Sequence, residues 1–344
     1  FFEQATIEMD GTIVETTGQC KQGMDISYKG IWGYHPLVLS LAETGEVLRL
    51  VNRSGNQTSQ HGAAEQADHA IDLCRRAGFR KIVLRGDTAF TQTIHLDRWH
   101  ADGVKFLFGM KAYPGLVDIA ENVACEHWKR LPRPPKYNPK TPNRARPENV
   151  KEQIVAERGY KNKRLAAEWV AEVPYRPTDC KQTYRLVIVC KQLEVTEQGR
   201  LFDDCKYFFY LTNEPKCELK TNEVVYGSNA RCDQENILAQ LNQCRALHAP
   251  VDNLESNWAF MVMTALSWSL KAWIGLSIPV SNRWKDQHQQ ERREVQRMEF
   301  KRFIDQFVRL PAQIIRGGRQ LTVRLLGWNE SLHVFNRWLR VALE

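Results

Sequence analysis

Residues 81–90 read Lys-Ile-Val-Leu-Arg-Gly-Asp-Thr-Ala-Phe, an apolar run that stops at an acidic side chain. This pattern predicts a short buried strand that ends at Asp87. Near the N-terminus, residues 5–10 read Ala-Thr-Ile-Glu-Met-Asp, and their apolar and polar side chains alternate with the period of a strand. Because ligands of α/β sheets gather beyond the carboxyl ends of strands, two parallel neighbouring strands of this kind would bring Asp10 and Asp87 together.

The stretches around these two strands predict an α/β fold. Apolar runs at 37–41 and 47–51 flank a Glu-Thr-Gly-Glu turn and predict a hairpin. Helical spacing follows at 63–74, and a predicted helix near 91–102 precedes a predicted strand at 106–108. This alternation of strands and helices predicts a mixed sheet with flanking helices.

The middle of the chain has a different composition. Residues 127–147 contain seven Lys or Arg and no Asp or Glu, and six prolines lie within 131–147. This composition predicts an irregular basic loop, which is either a solvated linker or a loop that contacts phosphates. Runs with strand period follow it, and helical spacing then returns. We therefore predict four segments: a first part of the core (1–111), a strand-rich insertion (112–222), a second part of the core (223–280) and a C-terminal basic helical region (281–344).

Composition narrows the class of protein. The chain has 344 residues, a net charge of +8 and 43% hydrophobic residues, which excludes a disordered chain and favours a polyanionic partner without requiring one. Its nine cysteines include no Cys-x-x-Cys pair, so we expect free thiols in a reducing cytoplasm. The motifs of ATP-binding phosphate loops, dinucleotide-binding folds and serine hydrolases are absent from the sequence. The apolar stretch 258–276 contains Lys271, which predicts a buried helix and no membrane span.

A third acidic residue completes a candidate site. Glu235 lies on a predicted helix, and Arg231 precedes it by four residues on the same face. Taken singly, Asp10 and Asp87 also fit turn formation or helix capping, and Glu235 fits an ordinary surface ion pair. Neighbouring carboxylates repel each other unless a cation lies between them. A ligand set of oxygens alone favours Mg²⁺ or Mn²⁺ over zinc.

The order of these features resembles the catalytic core of a DDE transposase from a bacterial insertion sequence. The features are a strand with Asp10, a strand with Asp87, a strand-rich insertion and a helix with Glu235. The stretch 29–37, with Lys-Gly and Gly-Tyr-His-Pro-Leu, and the stretch 85–90, Arg-Gly-Asp-Thr-Ala-Phe, resemble the insertion-sequence 1380 group. The resemblance covers nearly the whole chain.

The helix resembles the signature Tyr-x-x-Arg-x-x-x-Glu-x-x-x-x-x-x-Lys of the insertion-sequence 4 superfamily. Arg231 and Glu235 occupy its Arg and Glu positions. Ser228 stands at the Tyr position, with Tyr226 two residues earlier, and Asn242 stands at the Lys position. In the family these two positions are implicated in holding phosphates, so the departures affect a DNA contact and leave the three acids intact.

The resemblance implies a ribonuclease-H-like core and a mechanism with two Mg²⁺ (or Mn²⁺) ions about 3.5–4 Å apart. By this resemblance Asp10, Asp87 and Glu235 hold the ions, and Arg231 orients Glu235 or contacts a phosphate oxygen. The implied reaction is DNA end cleavage and strand transfer, and the superfamily resemblance implies a hairpin intermediate at the transposon end. The implied partners are terminal inverted repeats and target DNA, bound by a homodimer on paired ends in the bacterial cytoplasm.

The basic loop and the signature supply the predicted DNA contacts. These residues are Tyr226, Arg133, Lys136, Lys140 and Arg144. Trp128 and Trp169 lie in the predicted insertion, where either would suit stacking on a flipped base, although such residues more commonly serve packing. Two alternatives remain open from the sequence: a two-metal nuclease of the same fold, and a non-catalytic remnant that only binds DNA.

Overall fold

The computed structural model describes residues 3–18, 20–133, 163–195 and 204–342. The chain forms two compact units. The first unit contains residues 1–90 and 231–344, and the second contains residues 91–230. The predicted segment boundaries at 111/112, 222/223 and 280/281 stay a prediction.

The first half of the first unit is a four-stranded mixed sheet with a small second sheet. Its elements are β1 (Gln4–Gly11), β2 (Val14–Glu15), β3 (Asp25–Ile26), β4 (Trp32–Tyr34), β5 (Leu37–Leu41), β6 (Val47–Val51), α1 (Ala63–Arg76) and β7 (Lys81–Gly86). The strand order is β6-β5-β1-β7, where only the β1–β7 pair is parallel. All five residues of β5 are buried, as expected for an internal strand covered on both faces. The predicted mixed α/β architecture is confirmed.

The second unit is built on long antiparallel strands. Its elements are α2 (Leu96–Ala101), β8 (Lys105–Met110), α3 (Pro114–Glu121), β9 (Lys129–Arg130), β10 (Lys163–Tyr175), β11 (Tyr184–Val195), β12 (Asp204–Thr212) and α4 (Thr221–Asn229). The strand order is β8-β12-β11-β10-β9. Val224 and Val225 of α4 pack with Leu107, Val187 and Val189 of the sheet. Residues 186–190 of β11 are all buried, as expected for a strand covered on both faces, whereas half-buried and buried residues alternate over 208–211 of β12.

The remainder of the first unit is mainly helical. Its elements are α5 (Cys232–Gln243), α6 (Leu254–Ser277), α7 (Lys285–Arg297), α8 (Phe300–Phe303), β13 (Ala312–Arg316), β14 (Leu321–Leu325) and α9 (Leu332–Ala342). The hairpin of β13 and β14 differs from the helical region predicted for 281–344. Gly317 and Gly318 at its turn, between runs rich in Ile, Leu and Val, are the local signal for it.

Helix α6 packs one face against the core of the first unit. Met261, Ala265 and Trp268 lie in a cluster with residues of β5, β6 and α5. The Lys271 ammonium donates hydrogen bonds to the carbonyls of Gln296 and Met298, each at 2.7 Å, and burial lowers its pKa to about 7. Among the described residues, α6 is the one helix long and apolar enough to cross a membrane by length and composition.

Candidate active site

The parallel pairing of β1 with β7 brings Asp10 and Asp87 to the same edge of the sheet. In this register Glu8 lies opposite Arg85. Asp10 and Asp87 each follow that pair by two residues, so both side chains lie on the face that Glu8 and Arg85 occupy. The separation of 77 residues along the chain is therefore bridged by one pair of adjacent strands, as the sequence predicts.

A buried ion pair accompanies this register. Nη2 of Arg85 lies 2.6 Å from Oε1 of Glu8, and Nε of Arg85 donates a hydrogen bond to the same oxygen at 2.9 Å. The Glu8 side chain is fully buried. A shift of one residue would move these side chains to opposite faces, so the pair helps to fix the register that places the two aspartates.

Local hydrogen bonds hold one oxygen of each aspartate. Oδ1 of Asp10 accepts from the amide of Gly11 at 2.8 Å, and Oδ1 of Asp87 accepts from the amide of Ala89 at 2.8 Å. The second contact is an Asx-turn, which directs the chain away from β7 immediately after the acid. Buried Phe90 anchors that turn in the core. The Oδ2 atoms of both aspartates face Arg231.

Gly11 matters because of the residue that packs against it. A Cβ at Gly11 would lie 2.8 Å from Nε2 of His35, so a larger residue would displace the ring. His35 is buried, and its Nδ1 lies 2.8 Å from the carbonyl oxygen of Gln57. Burial lowers the pKa of His35, which favours the neutral ring. The Tyr-His-Pro stretch used as a family resemblance thus packs directly behind the strand end that carries Asp10.

Helix α5 supplies the third acid and the arginine. Arg231 precedes the first residue of α5, and Glu235 lies one turn later on the same face. Gln234 is fully buried: its Oε1 accepts a hydrogen bond from the hydroxyl of Ser40, and its Nε2 donates to the carbonyl of Val38 at 3.4 Å. These contacts tie the start of α5 to β5, the neighbour of β1.

Sequence reasoning missed Gln234, although a signal for it exists. Gln234 shares its spacing with Ile237, Leu238 and Leu241, which form the core-facing stripe of α5. A polar residue within such a stripe requires hydrogen-bond partners inside the protein. The spacing therefore marks Gln234 as a residue with a specific buried contact.

The guanidinium of Arg231 lies among all three acids. Its Nη1 is 3.5 Å from Oδ2 of Asp10 and 3.7 Å from Oδ2 of Asp87, and its Nη2 is 3.7 Å from Oε1 of Glu235. The Oδ2 atoms of the two aspartates therefore lie close to the same guanidinium nitrogen. The sequence predicts only the pair with Glu235. These separations are those of loose ion pairs, longer than the charge-assisted hydrogen bonds of a fork-to-fork pair.

The electrostatics of this cluster are unbalanced. Burial, with smaller contributions from the neighbouring Asp87 and Glu235 carboxylates, raises the pKa of Asp10 to about 6, and the Gly11 hydrogen bond and the Arg231 charge oppose this rise. One guanidinium therefore leaves three carboxylates undercompensated. Asp10 is 16% exposed, Asp87 34% and Glu235 62%, so the cluster opens toward solvent from Asp10 to Glu235.

These residues fit a divalent cation by chemistry. They offer carboxylate oxygens, the ligands that Mg²⁺ and Mn²⁺ prefer, in a cluster with excess negative charge. Within residues 3–18, 20–133, 163–195 and 204–342, no group of three or more His, Cys, Asp or Glu side chains is already arranged around one metal position. Arg231 is the cation that the three acids share.

Only two of the five predicted DNA contacts, Arg133 and Tyr226, fall within the described residues. Lys136, Lys140 and Arg144 fall outside the described residues. Arg133 makes a two-pronged contact with Glu168, with Nε to Oε2 at 2.6 Å and Nη2 to Oε1 at 2.8 Å. The Tyr226 hydroxyl donates to the carbonyl of Pro132. The DNA-binding roles of these residues stay a prediction.

The two tryptophans of the predicted insertion are both half-buried. Trp128 donates from Nε1 to the carbonyl of Val123 at 3.4 Å, and its ring lies near that of Tyr207. Trp169 donates from Nε1 to Oε1 of Gln192 at 3.4 Å. Each ring therefore has a hydrogen-bond partner within the second unit.

One protein family matches nearly the whole chain. The sequence model described as transposase DDE domain group 1 matches residues 2–341. No curated protein matches the chain. Among solved structures, the cryo-EM structure of a piggyBac transposase synaptic complex with hairpin DNA is similar, at 11% identity and a TM-score of 0.44. That alignment covers 89% of this chain and 54% of the other, so this chain spans about half the length of that relative.

Proposed function

The chain belongs to the transposase DDE domain group 1 family, and from this premise we propose that it cleaves the ends of a bacterial insertion sequence and joins them to target DNA. The observation that carries the proposal is the convergence of Asp10, Asp87 and Glu235 on the guanidinium of Arg231. The proposed core is ribonuclease-H-like, in keeping with its mixed sheet and flanking helices.

We assign the metal-holding role to the three acids. Asp10, Asp87 and Glu235 would hold two divalent ions, Mg²⁺ or Mn²⁺. Such ions, when bound, supply a nucleophile activated at neutral pH and stabilise negative charge on the phosphate. The raised pKa of Asp10 supports this assignment, because burial and then the neighbouring carboxylates disfavour its ionised form, which a bound cation would stabilise.

Arg231 has two partners in this proposal. Without DNA, its guanidinium compensates part of the charge of the three acids. Because these contacts are long and the side chain is 23% exposed, little is lost when the guanidinium moves to a non-bridging phosphate oxygen. A planar guanidinium suits that role since it presents several donors to one phosphate.

Two buried contacts position the acids. Gln234 ties α5 to β5 and so holds Glu235 near the sheet edge. His35 packs at Gly11, directly after Asp10. Both residues act through their neighbours and neither is assigned a contact with DNA.

The finer features of the proposal rest on the family resemblance. They are a hairpin intermediate at the element end, a pair of protomers on paired ends, and DNA contacts by Tyr226 and the basic loop 127–147. The +8 net charge of the chain supports DNA binding with a steep dependence on salt.

The test uses labelled DNA carrying the ends of the element that encodes the chain, with a supercoiled plasmid as target. We expect Mg²⁺-dependent cleavage at the ends and joining to the plasmid. Asp10→Asn, Asp87→Asn and Glu235→Gln should each lower cleavage at least about 100-fold, because even an indirect partner of a metal ligand is worth 10–100-fold. The matched control is Asp72→Asn, an exposed carboxylate on α1, which should cleave normally.

Each alternative gives a different result in this assay. Cleavage without joining would assign the chain to the nucleases and contradict the transposase proposal. DNA binding without cleavage by the unaltered chain would identify a non-catalytic remnant. Normal cleavage by any one of the three neutral variants would remove that residue from the proposed site.

A further inference from the structure

The solvent-facing side of α6 carries a continuous apolar stripe. Its exposed residues Ala259, Met263, Leu266, Leu270 and Trp273, here called the α6 seam, are separated alternately by four and three positions. Met263 is 67% exposed, and Leu266, Leu270 and Trp273 are each between 45% and 49% exposed. Val262 borders the seam at 46% exposure. An average spacing of 3.5 residues is the repeat by which one helix packs along another.

The opposite face of α6 is packed against the rest of the first unit. This face lies in the core through Met261, Ala265, Trp268 and Ala272. Lys271 is buried there, with its ammonium bonded to two carbonyls and 3.9 Å from the Trp268 ring centroid. A helix that buries a lysine in its packed face and exposes apolar residues on the other is suited to a second protein surface and poorly suited to insertion across a lipid bilayer.

The α6 seam is large enough for the centre of an interface. From Ala259 to Trp273 it extends about 21 Å along the helix. With about half of each large side chain exposed, the seam and Val262 present on the order of 400–500 Å² of apolar surface. A standard interface buries about 800 Å² per partner, of which a little over half is apolar. The seam therefore supplies most of the apolar area that a stable dimer needs.

The chemistry of the stripe favours a copy of itself. No charged side chain is exposed on α6 between Ser256 and Ser277, since Lys271 is buried. A DNA partner would require exposed cations at this surface. A two-fold axis would place the stripe against its own copy, and no like charges would then meet. Trp273, whose Nε1 donates to Glu46, keeps a fixed ring at one end.

We propose that the α6 seam is the surface through which two copies of this chain pair, helix against helix, about a two-fold axis. This surface would be the interface between the two protomers of the proposed function. The biological role of the dimer rests on that proposed function. Its physical test needs neither DNA nor metal. A failure of pairing and a failure of catalysis are therefore distinguishable.

The test is sedimentation equilibrium of the full chain without DNA, in buffer containing a chelator. We expect a dimer for the unaltered chain. Leu266→Glu should raise the dissociation constant at least about 30-fold, which corresponds to the loss of one strong interface contact, and the two-fold axis applies the change twice. Leu73→Glu on α1 is the matched control, because Leu73 is also a partly exposed helical leucine, and it should leave the dimer intact.

A mixing experiment tests the homotypic contact directly. Leu266→Glu and Leu266→Lys should each be monomeric, and their mixture should form dimers because the opposite charges attract. Circular dichroism melting of each variant checks that the monomers are folded. A monomeric unaltered chain, or a dimer that survives both Leu266→Glu and Leu270→Glu, would overturn the proposal. Binding of the unaltered chain to phosphatidylcholine vesicles without self-association would instead assign the seam to a membrane surface.

Discussion

Two arginines, Arg85 on β7 and Arg231 at the start of α5, contact carboxylates in different ways. Arg85 pairs with fully buried Glu8 at 2.6 Å, whereas Arg231 stands 3.5–3.7 Å from Asp10, Asp87 and Glu235. The first contact is a close pair with short hydrogen bonds, and the second places one cation at longer range among three acids. The difference separates a pair that holds strands in register from a cluster whose charge is left for other partners to compensate.

The largest expected difference between the two contacts is the loss of stability when each arginine is removed. We expect Arg85→Met to lower the free energy of unfolding by roughly 3–5 kcal/mol, because the buried Glu8 carboxylate loses its ion-pair partner at 2.6 Å. Arg231→Met should change it by less than about 1 kcal/mol, since the Arg231 contacts are long and partly exposed. Urea unfolding at neutral pH measures both. Equal losses for the two variants would show that the two contacts do not differ in kind.

Asp10 offers a second way to separate the two contacts. Its folded-state pKa of about 6 lies above the unfolded value of about 3.9. An acid with a raised folded pKa stabilises the fold fully only below its unfolded pKa, and that stability is lost as pH rises through the folded pKa. Asp10 therefore costs stability at neutral pH. We expect Asp10→Asn to be more stable than the unaltered chain by on the order of 2 kcal/mol at about pH 7.5 in chelator.

In acid, Asp10→Asn and the unaltered chain should have the same stability. At about pH 3, below the unfolded pKa, Asp10 is mostly protonated in both the folded and the unfolded chain, so the advantage of Asp10→Asn should disappear. Denaturant unfolding across this range gives the profile, and Asp72→Asn provides an exposed carboxylate for comparison. A stability gain that does not vary with pH would point to packing and not to charge.

The sequence predicts the two aspartates better than it predicts their surroundings. Strand patterns that end at Asp10 and Asp87 are local, and the rule for ligands at strand ends places them together. The exact register, with Glu8 opposite Arg85, depends on pairing between strands 77 residues apart and has no local signature. The contact of Arg231 with both aspartates depends on that register and on the docking of α5.

Three further features differ from the sequence-based predictions, although the sequence contains a local signal for them. Gln234 sits in the core-facing spacing of α5, which marks it once the helix is known to pack on the sheet. The β13–β14 hairpin has a Gly-Gly turn, but the basic charge and the helical spacing at 300–307 favoured a helical region. The exposed stripe of α6 has the composition of a core helix, and only the structure shows which face the core takes.

The smallest expected effect concerns competition for the three acids. Arg231→Gln removes a positive charge 3.5–3.7 Å from their oxygens. In partly exposed surroundings this should raise the affinity of the DNA-free chain for Mn²⁺ by roughly tenfold. Electron paramagnetic resonance of free Mn²⁺ measures the change. Arg231→Lys keeps the charge and should resemble the unaltered chain.

The direction of this change decides what Arg231 does in the absence of DNA. If its guanidinium compensates the acids, Arg231→Gln gains metal affinity, and adding Asp10→Asn should cancel that gain because the most buried of the three acids is then neutral. If Arg231 instead holds the acids in position for the metal, the same variant loses affinity. The loose contacts of Arg231, in contrast to the short ones of Arg85, favour the gain.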